Sequence, residues 1–296
     1  MQARLIAYPP QQPAIVRTAR AGECLRIGRA PDNDLRLDHP SVSRAHAELL
    51  GFDGGWHLRD LGSKNGSFVD GTSIETTQLT KPGWLRFGDV HCEFGLLSEE
   101  ALLAEEAGRT ARRASVTAHT ARLERMTHLG DLLDASLRSV LDLSQCERGF
   151  LLLADGDDFR VRSAQALDPD ALPNRAFSGS VGAVRRALEE RHAVVANDIA
   201  HDAFLAQRDS VVAHGLRALL CLPLFEGDRV LGAIYADRTD IGPAITTLDL
   251  DLLQAFAEHA AVWIAARQAT DALALAREPD VAPRWSRIVA AQAEVA

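Results

Sequence analysis

The chain has 296 residues and a mass of 32.1 kDa, enough for about two domains of ordinary size. Hydrophobic residues make up 47% and charged residues 25%, which excludes global disorder, and no apolar run reaches the roughly 18–20 residues that cross a bilayer. The formal net charge is −9, of which −8 lies in residues 130–269. No basic block could neutralise a nucleic-acid backbone, so we expect neither a nucleic-acid nor a membrane partner.

Cysteine usage and the N-terminus bear on the cellular compartment. The cysteines are far apart and form no CxxC pair, which argues against a zinc ribbon, a redox dithiol or any other metal site. The first residues carry no long apolar segment before a small-residue cleavage site, so a secretory signal is not expected. Unpaired cysteines are typical of the reducing cytosol, so we expect a cytoplasmic protein. We expect no cofactor. The cysteines are Cys24, Cys92, Cys146 and Cys221.

The first 97 residues have the pattern of an all-β domain. Short apolar or alternating runs are separated by turn signals rich in Gly, Pro, Asn and Asp, and this close spacing predicts a β-sandwich over residues 1–97. The predicted strands are Arg4–Tyr8, Ala14–Arg17, Leu25–Ile27, His46–Leu50, Trp56–Leu58, Trp84–Phe87 and His91–Phe94.

A helical pattern follows, with a linker predicted over residues 98–127. Ser98 can cap the helix, and Glu99 and Glu100 in the first turn favour the helix dipole. Apolar residues spaced by three or four form one helical stripe, which is either the core face of a helix or the contact face of a dimer-forming bundle. The stripe consists of Leu123, Met126, Leu129, Leu133, Leu137 and Val140.

Residues 128–269 have a mixed α and β pattern, and residues 270–296 form a C-terminal tail. Two predicted hairpins indicate an antiparallel sheet, and helices are predicted from Ser180 to Arg191 and from about Thr246 or Thr247 past Arg267. The predicted strands are Gly149–Ala154, Phe159–Ala166, Ala193–Val195, Ala218–Leu224 and Arg229–Asp237. The predicted core face of the last helix is Leu248, Leu252, Phe256, His259, Trp263 and Ala266.

Four segments of the first domain carry polar groups suited to a phosphoryl ligand. Such a group has roughly −1.5 to −2 charge and three acceptor oxygens, so its recognition requires fixed donors from several loops. Arg29 offers a guanidinium for paired hydrogen bonds, Ser43 a hydroxyl and Lys64 a second cation, while Asn65 can both donate to and accept from a peptide. The segments are Leu25-Arg26-Ile27-Gly28-Arg29, Ser41-Val42-Ser43-Arg44-Ala45-His46, Leu58-Arg59-Asp60-Leu61-Gly62-Ser63-Lys64-Asn65-Gly66-Ser67 and Leu85-Arg86-Phe87-Gly88-Asp89-Val90.

This set of segments resembles the forkhead-associated (FHA) domain, a β-sandwich that binds phosphothreonine peptides. The resemblance covers about residues 1–97 and implies that Arg29 and Ser43 contact the phosphate. It also implies that Arg44 and Lys64 touch the phosphate or the nearby peptide and that Asn65 holds the peptide main chain. Supporting roles are expected for the loop glycines and for a histidine that braces the Ser43 loop, namely Gly28, Gly66 and His46.

Residues of about 128–268 resemble a GAF domain, a small-molecule sensory fold. The resemblance rests on Cys146-Glu147-Arg148-Gly149-Phe150-Leu151-Leu152-Leu153, Val194-Val195-Ala196-Asn197-Asp198, Leu219-Leu220-Cys221-Leu222-Pro223-Leu224 and Leu231-Gly232-Ala233-Ile234-Tyr235-Ala236-Asp237. These are core and turn positions, which specify a fold more than a ligand. The candidate polar residues of a pocket are Asn197, Asp198, Ser210, His214 and Arg217, although the first two could simply form a turn and a cap.

These patterns together predict a non-catalytic, homodimeric signalling protein with an α+β GAF-type domain behind an FHA-type sandwich. Its expected partner is a threonine-phosphorylated protein, either a Ser/Thr kinase or a kinase substrate, and its GAF domain would sense a small ligand or mediate dimerisation. Any output, such as transcription regulation, would act in trans. Two alternatives stay open: a plain dimeric scaffold, or a ligand sensor whose FHA domain latches a phosphorylated linker threonine, either Thr110, Thr117 or Thr120.

Overall fold

The structure is a computed structural model that describes residues 2–52, 55–156, 158–168, 178–197 and 216–276. Its N-terminal strands are β1 (Gln2–Tyr8), β2 (Ile15–Ala19), β3 (Cys24–Gly28), β4 (Leu35–Arg36), β5 (Ala47–Phe52), β6 (Gly55–Asp60), β7 (Ser67–Val69), β8 (Thr72–Ile74), β9 (Thr76–Leu79), β10 (Gly83–Phe87) and β11 (Val90–Leu97). The elements that follow are α1 (Glu99–Leu123), α2 (Leu129–Ser144), β12 (Arg148–Asp155), β13 (Asp158–Gln165), α3 (Ser178–Glu190), β14 (Val194–Asn197), β15 (Ala218–Glu226), β16 (Arg229–Arg238) and α4 (Thr247–Ala276).

The N-terminal strands form two packed sheets. One sheet has the order β2-β1-β11-β10-β7-β8 and the other β4-β3-β5-β6-β9. Inward side chains alternate with outward ones along each strand, as in β1, where Ala3, Leu5 and Ala7 are fully buried. The two inner faces share one apolar core that includes Trp56 and Phe87, so the predicted β-sandwich is confirmed.

The second half of the chain builds a five-stranded antiparallel sheet covered on both faces. The strand order is β13-β12-β16-β15-β14. Helices α2 and α4 pack on one face over the larger apolar cluster, and α3 packs on the other over a cluster that contains Phe150 and Tyr235. The α+β architecture with an antiparallel sheet is therefore the one expected from the sequence.

Two helical predictions need correction. The apolar stripe from Leu123 to Val140 is divided between two helices, because α1 ends at Leu123 and α2 begins at Leu129 after a short turn. Both parts still pack into the same core. Helix α3 begins at Ser178, two residues before the predicted start.

The predicted core face of the last helix is wrong in part. His259 and Ala266 are exposed, whereas a row of mostly small residues faces the sheet. Small side chains let the helix approach the strands closely, but they carry little hydropathy and so do not stand out in the sequence. Phe256 is buried as predicted. The unpredicted residues that are buried with it are Leu253, Ala257, Ala260, Ala261, Ile264 and Ala265.

Four short strands were not predicted. β4, β7, β8 and β9 have only two to four residues each, too few for a periodic signal. The β7–β8 hairpin turns at Asp70 and Gly71, both with positive φ (48° and 83°), which is the two-residue turn that Asp-Gly favours.

The two domains meet at a short bridge beside Ala14. The Ala14 amide donates to the carbonyl of Ile245 (2.9 Å), and its carbonyl accepts from the amide of Thr247 (3.0 Å). Helix α1 adds two ion pairs, from Glu105 to Arg4 (2.6 Å) and from Arg112 to Asp249 (2.9 Å). None of the helices in the described parts of the chain combines the length and hydropathy of a membrane-spanning segment.

The carboxamide of Asn197 holds the segment that makes this bridge, so its loss should weaken the second domain. Its Oδ1 accepts from the amide of Ile245 (2.8 Å) and its Nδ2 donates to the same residue's carbonyl (3.0 Å). We expect Asn197→Ala to destabilise the fold by about 1–3 kcal/mol, because the Ile245 amide loses its partner and the Ile245 carbonyl keeps only the Ala14 amide as a donor. The measurement is scanning calorimetry of the full chain.

Arg217→Ala serves as the matched control for Asn197→Ala, because Arg217 has an exposed side chain and was predicted beside Asn197 as a pocket residue. Equal effects of the two substitutions on the melting temperature would contradict the assignment of a structural role to Asn197 alone.

Candidate functional site

Four loops meet at one rim of the sandwich and carry the polar residues predicted from the sequence. These loops join β3 to β4, β4 to β5, β6 to β7 and β10 to β11. The loops are joined to one another by hydrogen bonds in which at least one partner is a backbone group. These hydrogen bonds, and not the pairing of strands, set the positions of the side chains.

Arg29 stands at the end of β3 and is fixed against the next loop. Its amide donates to the carbonyl of Ser43 (2.9 Å), and its Nε donates to the carbonyl of Val42 (3.3 Å). The side chain is exposed, and among the described residues only the Val42 carbonyl is bonded to its guanidinium, which leaves the Nη groups available to a ligand. Gly28 is required beside it, since a Cβ there would lie 2.3 Å from the carbonyl oxygen of Arg44.

Ser43 and Lys64 are brought together by one hydrogen bond. The Lys64 amide donates to Ser43 Oγ (3.0 Å), which uses a lone pair of the hydroxyl and leaves its proton available to an anion. The Lys64 side chain is exposed, and its backbone lies beside that hydroxyl. The pair can therefore supply one neutral and one charged donor to the same oxyanion.

Asn65 reaches back to the loop that carries Ser43. Its Nδ2 donates to the carbonyl of Ser41 (2.7 Å), and its side chain is exposed. The Ser41 hydroxyl in turn accepts from the amide of Asp89 (2.8 Å). Gly88 permits this contact, because it has φ +58° and a Cβ there would lie 2.5 Å from the Ser41 carbonyl oxygen. The carboxamide of Asn65 is thus held through its nitrogen, and its oxygen can accept a hydrogen bond from a ligand.

His46 is completely buried and uses both ring nitrogens to hold two of these loops. Nδ1 accepts from the amide of Ser43 (3.0 Å), and Nε2 lies 3.1 Å from the carbonyl of Gly66. An acceptor at Nδ1 and a donor at Nε2 define the neutral tautomer. Burial lowers the pKa of His46 below its ordinary value of 6.5, against the opposing effects of Gly66 and Asp60.

The carboxylate of Asp60 shapes the loop that carries Lys64 and Asn65. It accepts from the amide of Ser63 (2.7 Å), from the hydroxyl of Ser63 (2.7 Å) and from the hydroxyl of Ser67 (2.5 Å). Burial by itself raises the pKa of Asp60, but these three hydrogen bonds outweigh it and hold the pKa below its ordinary value of 3.8. The ionised carboxylate is a structural group of the site.

Arg44 and Asn33 complete the arrangement. The Arg44 side chain is exposed on the same loop as Ser43. Its carbonyl accepts from Asn33 Nδ2 (2.7 Å) and from the amide of Ala30 (3.1 Å), so Asn33 ties the first two loops together. In the sequence, Asn33 lies in the turn signal Pro31-Asp32-Asn33, and no motif there indicates its contact with the loop of Arg44.

The predicted residues of the second domain are brought together only in part. Asn197 is bound to the backbone of Ile245, and Arg217 has an exposed side chain, so the described contacts give neither residue a ligand-binding geometry. Asp198, Ser210 and His214 lie outside the described residues.

The sequence analysis missed Asp237 as a candidate polar group of this sheet. It is 1% exposed and its Oδ1 accepts from Arg148 (2.6 Å). Burial raises the pKa of Asp237, although Arg148 acts in the opposite direction. By strand alternation Asp237 shares the α3-side face with Tyr235. In the sequence, the carboxylate of Asp237 follows directly after the apolar residues of β16, and this position is the signal that indicates a buried ion pair.

Family profiles match both halves of the chain. The profile of the FHA domain matches residues 25–90, and the profile of the GAF domain matches residues 128–264. The first match contains all four loops of the rim, and the second contains α2, the five-stranded sheet and most of α4.

Curated relatives match the N-terminal part of the chain. The ABC transporter ATP-binding/permease protein Rv1747 of Mycobacterium tuberculosis is 38% identical over 88 residues, or 28% of this chain and 10% of that protein. The glycogen accumulation regulator GarA of Mycolicibacterium smegmatis is 34% identical over 23% of this chain and 42% of its own length. The oxoglutarate dehydrogenase inhibitor of Corynebacterium jeikeium is 33% identical over 27% and 55%. The chain thus spans from a tenth to about half of the length of these relatives.

Solved structures align with the same region. The FHA domain of the CT664 protein from Chlamydia trachomatis is 25% identical, with 32% of this chain and 99% of that chain covered and a TM-score of 0.30. Mycobacterium tuberculosis EmbR in complex with a low-affinity phosphopeptide is 29% identical, with 31% and 25% covered and a TM-score of 0.28.

The neutral state of His46 makes the stability of the sandwich depend on pH. The folded state binds a proton on His46 less readily than the unfolded state does, so we expect the free energy of unfolding to fall as the pH decreases from about 6.5. The lowered pKa of Asp60 adds a second decrease in the free energy of unfolding below about pH 3.8. His46→Gln should remove the first part of this dependence and destabilise the sandwich by about 1–3 kcal/mol. The measurement is calorimetric unfolding at a series of pH values.

His57→Gln is the control for this prediction, because His57 is an exposed histidine of the same domain. An unchanged slope of stability against pH in His46→Gln, or a slope that His57→Gln removes as well, would refute the assignment.

Proposed function

Because the chain combines an FHA domain with a GAF domain, we propose that it is a non-catalytic signalling protein that binds threonine-phosphorylated partner proteins. The proposed boundaries are residues 1–97 for the FHA domain, 98–127 for the helical linker, 128–269 for the GAF domain and 270–296 for the tail. The observation that carries the proposal is the convergence of an exposed guanidinium, a hydroxyl and an ammonium group on neighbouring loops.

The proposed roles follow from the donors that the intramolecular contacts leave free. The phosphate of a phosphothreonine would accept from the Nη groups of Arg29 and from the hydroxyl of Ser43, with Lys64 and Arg44 adding positive charge. The Oδ1 of Asn65 would accept from a main-chain amide of the peptide, since its Nδ2 is engaged by Ser41. Gly28, Gly66 and His46 hold the loops and would not touch the ligand.

The relatives support a regulatory role more than a catalytic one. Two of them are named as a glycogen accumulation regulator and as an oxoglutarate dehydrogenase inhibitor. The proposed partner is accordingly a threonine-phosphorylated protein, either a Ser/Thr kinase or one of its substrates, bound in the cytoplasm. Any effect on transcription would pass through that partner.

The alternative of an intramolecular latch has less support. The linker threonines lie within α1, and each hydroxyl donates to the carbonyl four residues earlier: Thr110 to Glu106, Thr117 to Arg113 and Thr120 to Val116. Asn65 can bind a main-chain amide only in a segment whose N–H groups form no other hydrogen bond. Inside a helix, these N–H groups already donate to the carbonyls four residues earlier. A latch would therefore require α1 to unwind.

An exposed stripe on α4 favours dimerisation as the role of the GAF domain. Residues on the outer face recur in steps of four and three, the spacing of a helix–helix contact face. They are Ala255, His259, Val262, Ala266, Ala269 and Leu273. Two of them are large and strongly exposed, Val262 at 65% and Leu273 at 63%. A second copy of the chain would cover this face, in the homodimer that we propose.

A small ligand of the GAF domain is the second candidate role, and Asp237 supports it. A buried carboxylate with a raised pKa on the α3-side face of the sheet could accept a hydrogen bond from a ligand that carries an N–H or O–H donor. Native mass spectrometry of the purified protein tests this role by showing a retained small molecule or none.

Arg29→Ala should remove most of the affinity for phosphothreonine peptides. Charge-assisted hydrogen bonds are worth about 1.5–3 kcal/mol each, so we expect at least about a tenfold increase in Kd. The measurement is calorimetric titration with phosphothreonine peptides selected from a library.

Arg59→Ala is the matched control for Arg29→Ala, because Arg59 is an exposed arginine of the same domain whose guanidinium pairs with Glu48 on the neighbouring strand (2.8 Å). Binding of the unphosphorylated peptides with equal affinity, or equal losses in the two variants, would remove the proposal.

Val262→Glu should disrupt the proposed dimer, because a carboxylate at the centre of the stripe would be buried without a partner. We expect the mass measured by sedimentation to change from that of two chains to that of one. Val181→Glu is the control, since Val181 is an exposed valine of α3 (41%) outside the stripe. A monomeric wild-type protein, or a Val262→Glu variant that stays dimeric, would contradict this role for α4.

A further inference from the structure

A large cavity separates the sandwich from the helices that follow it. It has a volume of about 900 Å³ and lies between the outer face of β1, β2 and β11, the first half of α1 and the start of α4. This volume is in the range of small-molecule sites, which often occur where domains meet. The cavity is separate from the rim that carries Arg29 and from the sheet face that carries Asp237, since neither residue lines it.

The cavity exists because α1 turns small residues toward it. Ala101, Ala104 and Gly108 recur at helical spacing and line the cavity, so no large side chain fills the space above the sheet. The outer face of the sheet supplies an apolar floor that contains Ile6 and Val16. A flat ring could lie on this floor.

The walls of the cavity are strongly basic. Five arginines and two glutamates line it, and two of these arginines have acidic partners: Arg4 pairs with Glu105 (2.6 Å) and Arg112 with Asp249 (2.9 Å). The remaining three are exposed and form no ion pair with any of the described residues; they are Arg17, Arg109 and Arg113.

These three arginines come from different elements. Arg17 borders the cavity from β2, but its side chain lies on the Leu5 side of that strand. There its Nε donates to the carbonyl of Asp34 (3.0 Å) and its Nη1 to the carbonyl of Val16 (3.0 Å), so its guanidinium is already engaged. Arg109 and Arg113 are four residues apart on α1 and therefore project from the same face of the helix. Two guanidinium groups, those of Arg109 and Arg113, thus lie at one opening without an ion-pair partner among the described residues.

We propose that this cavity binds a small organic phosphate of nucleotide size. A guanidinium group can bind phosphate oxygens through two hydrogen bonds, so Arg109 and Arg113 would hold the phosphates. The ring of the ligand would lie on the floor formed by Ile6 and Val16. Such a ligand would contact the FHA domain and the linker helix together and would hold them in one arrangement.

The test is calorimetric titration of the full chain with ADP, and with inorganic pyrophosphate as a probe that lacks the ring. We expect ADP to bind more tightly than pyrophosphate. We also expect the double substitution R109Q and R113Q to raise the Kd for ADP at least about tenfold, since two charge-assisted contacts are lost. Glutamine is a good helix former, so α1 should persist, and circular dichroism checks this.

Two controls separate this site from general charge effects and from the phosphopeptide site. R160Q combined with R185Q removes two exposed arginines elsewhere, on β13 and α3, and should leave ADP binding unchanged. Arg29→Ala should also leave it unchanged, so that the two proposals fail independently. The proposal is overturned if neither ADP nor pyrophosphate binds up to about 1 mM. Equal affinity of the two probes, or an unchanged Kd in the R109Q and R113Q variant, overturns it as well.

Discussion

The buried, neutral imidazole of His46 is the interaction on which the rim of the sandwich depends. It joins the loop of Ser43 to the loop of Gly66, and each contact uses a different ring nitrogen. A protonated ring could no longer accept from the Ser43 amide. An aliphatic residue would leave that amide without its partner and would leave the Gly66 carbonyl with the Gly88 amide alone. The arrangement of Ser43 relative to Lys64 and Asn65 therefore rests on a residue that a ligand would never touch.

Around this histidine, the donors of the site are held by contacts that use only part of their capacity. Arg29 gives Nε to the carbonyl of Val42, Ser43 gives a lone pair to the Lys64 amide, and Asn65 gives its Nδ2 to Ser41. Each side chain keeps its remaining groups for a ligand. Because these contacts restrict the donors, the proposed binding of a phosphate would cost less conformational entropy than binding by unrestrained side chains.

The rim and the second domain are connected through the short segment between β1 and β2. Gln12 Nε2 donates to the carbonyl of Asp38 (3.3 Å), close to the loop of Ser41 and Ser43. Two residues later, Ala14 forms the bridge to Ile245 and Thr247 at the start of α4. One segment of a few residues is therefore hydrogen-bonded to a loop of the rim on one side and to the second domain on the other.

The sequence determined the fold class of both halves and the residues of the rim, because turn chemistry and alternation are local signals and the rim motifs lie in short segments. It could not determine which face of α4 is buried, since the alanines that approach the sheet have little hydropathy and only close packing selects them. Nor could it reveal the contact of Asn33 with the Arg44 carbonyl, the hold of Asn197 on Ile245 or the cavity beside α1. Each of these joins residues that are distant in the chain, so only the tertiary structure brings them together.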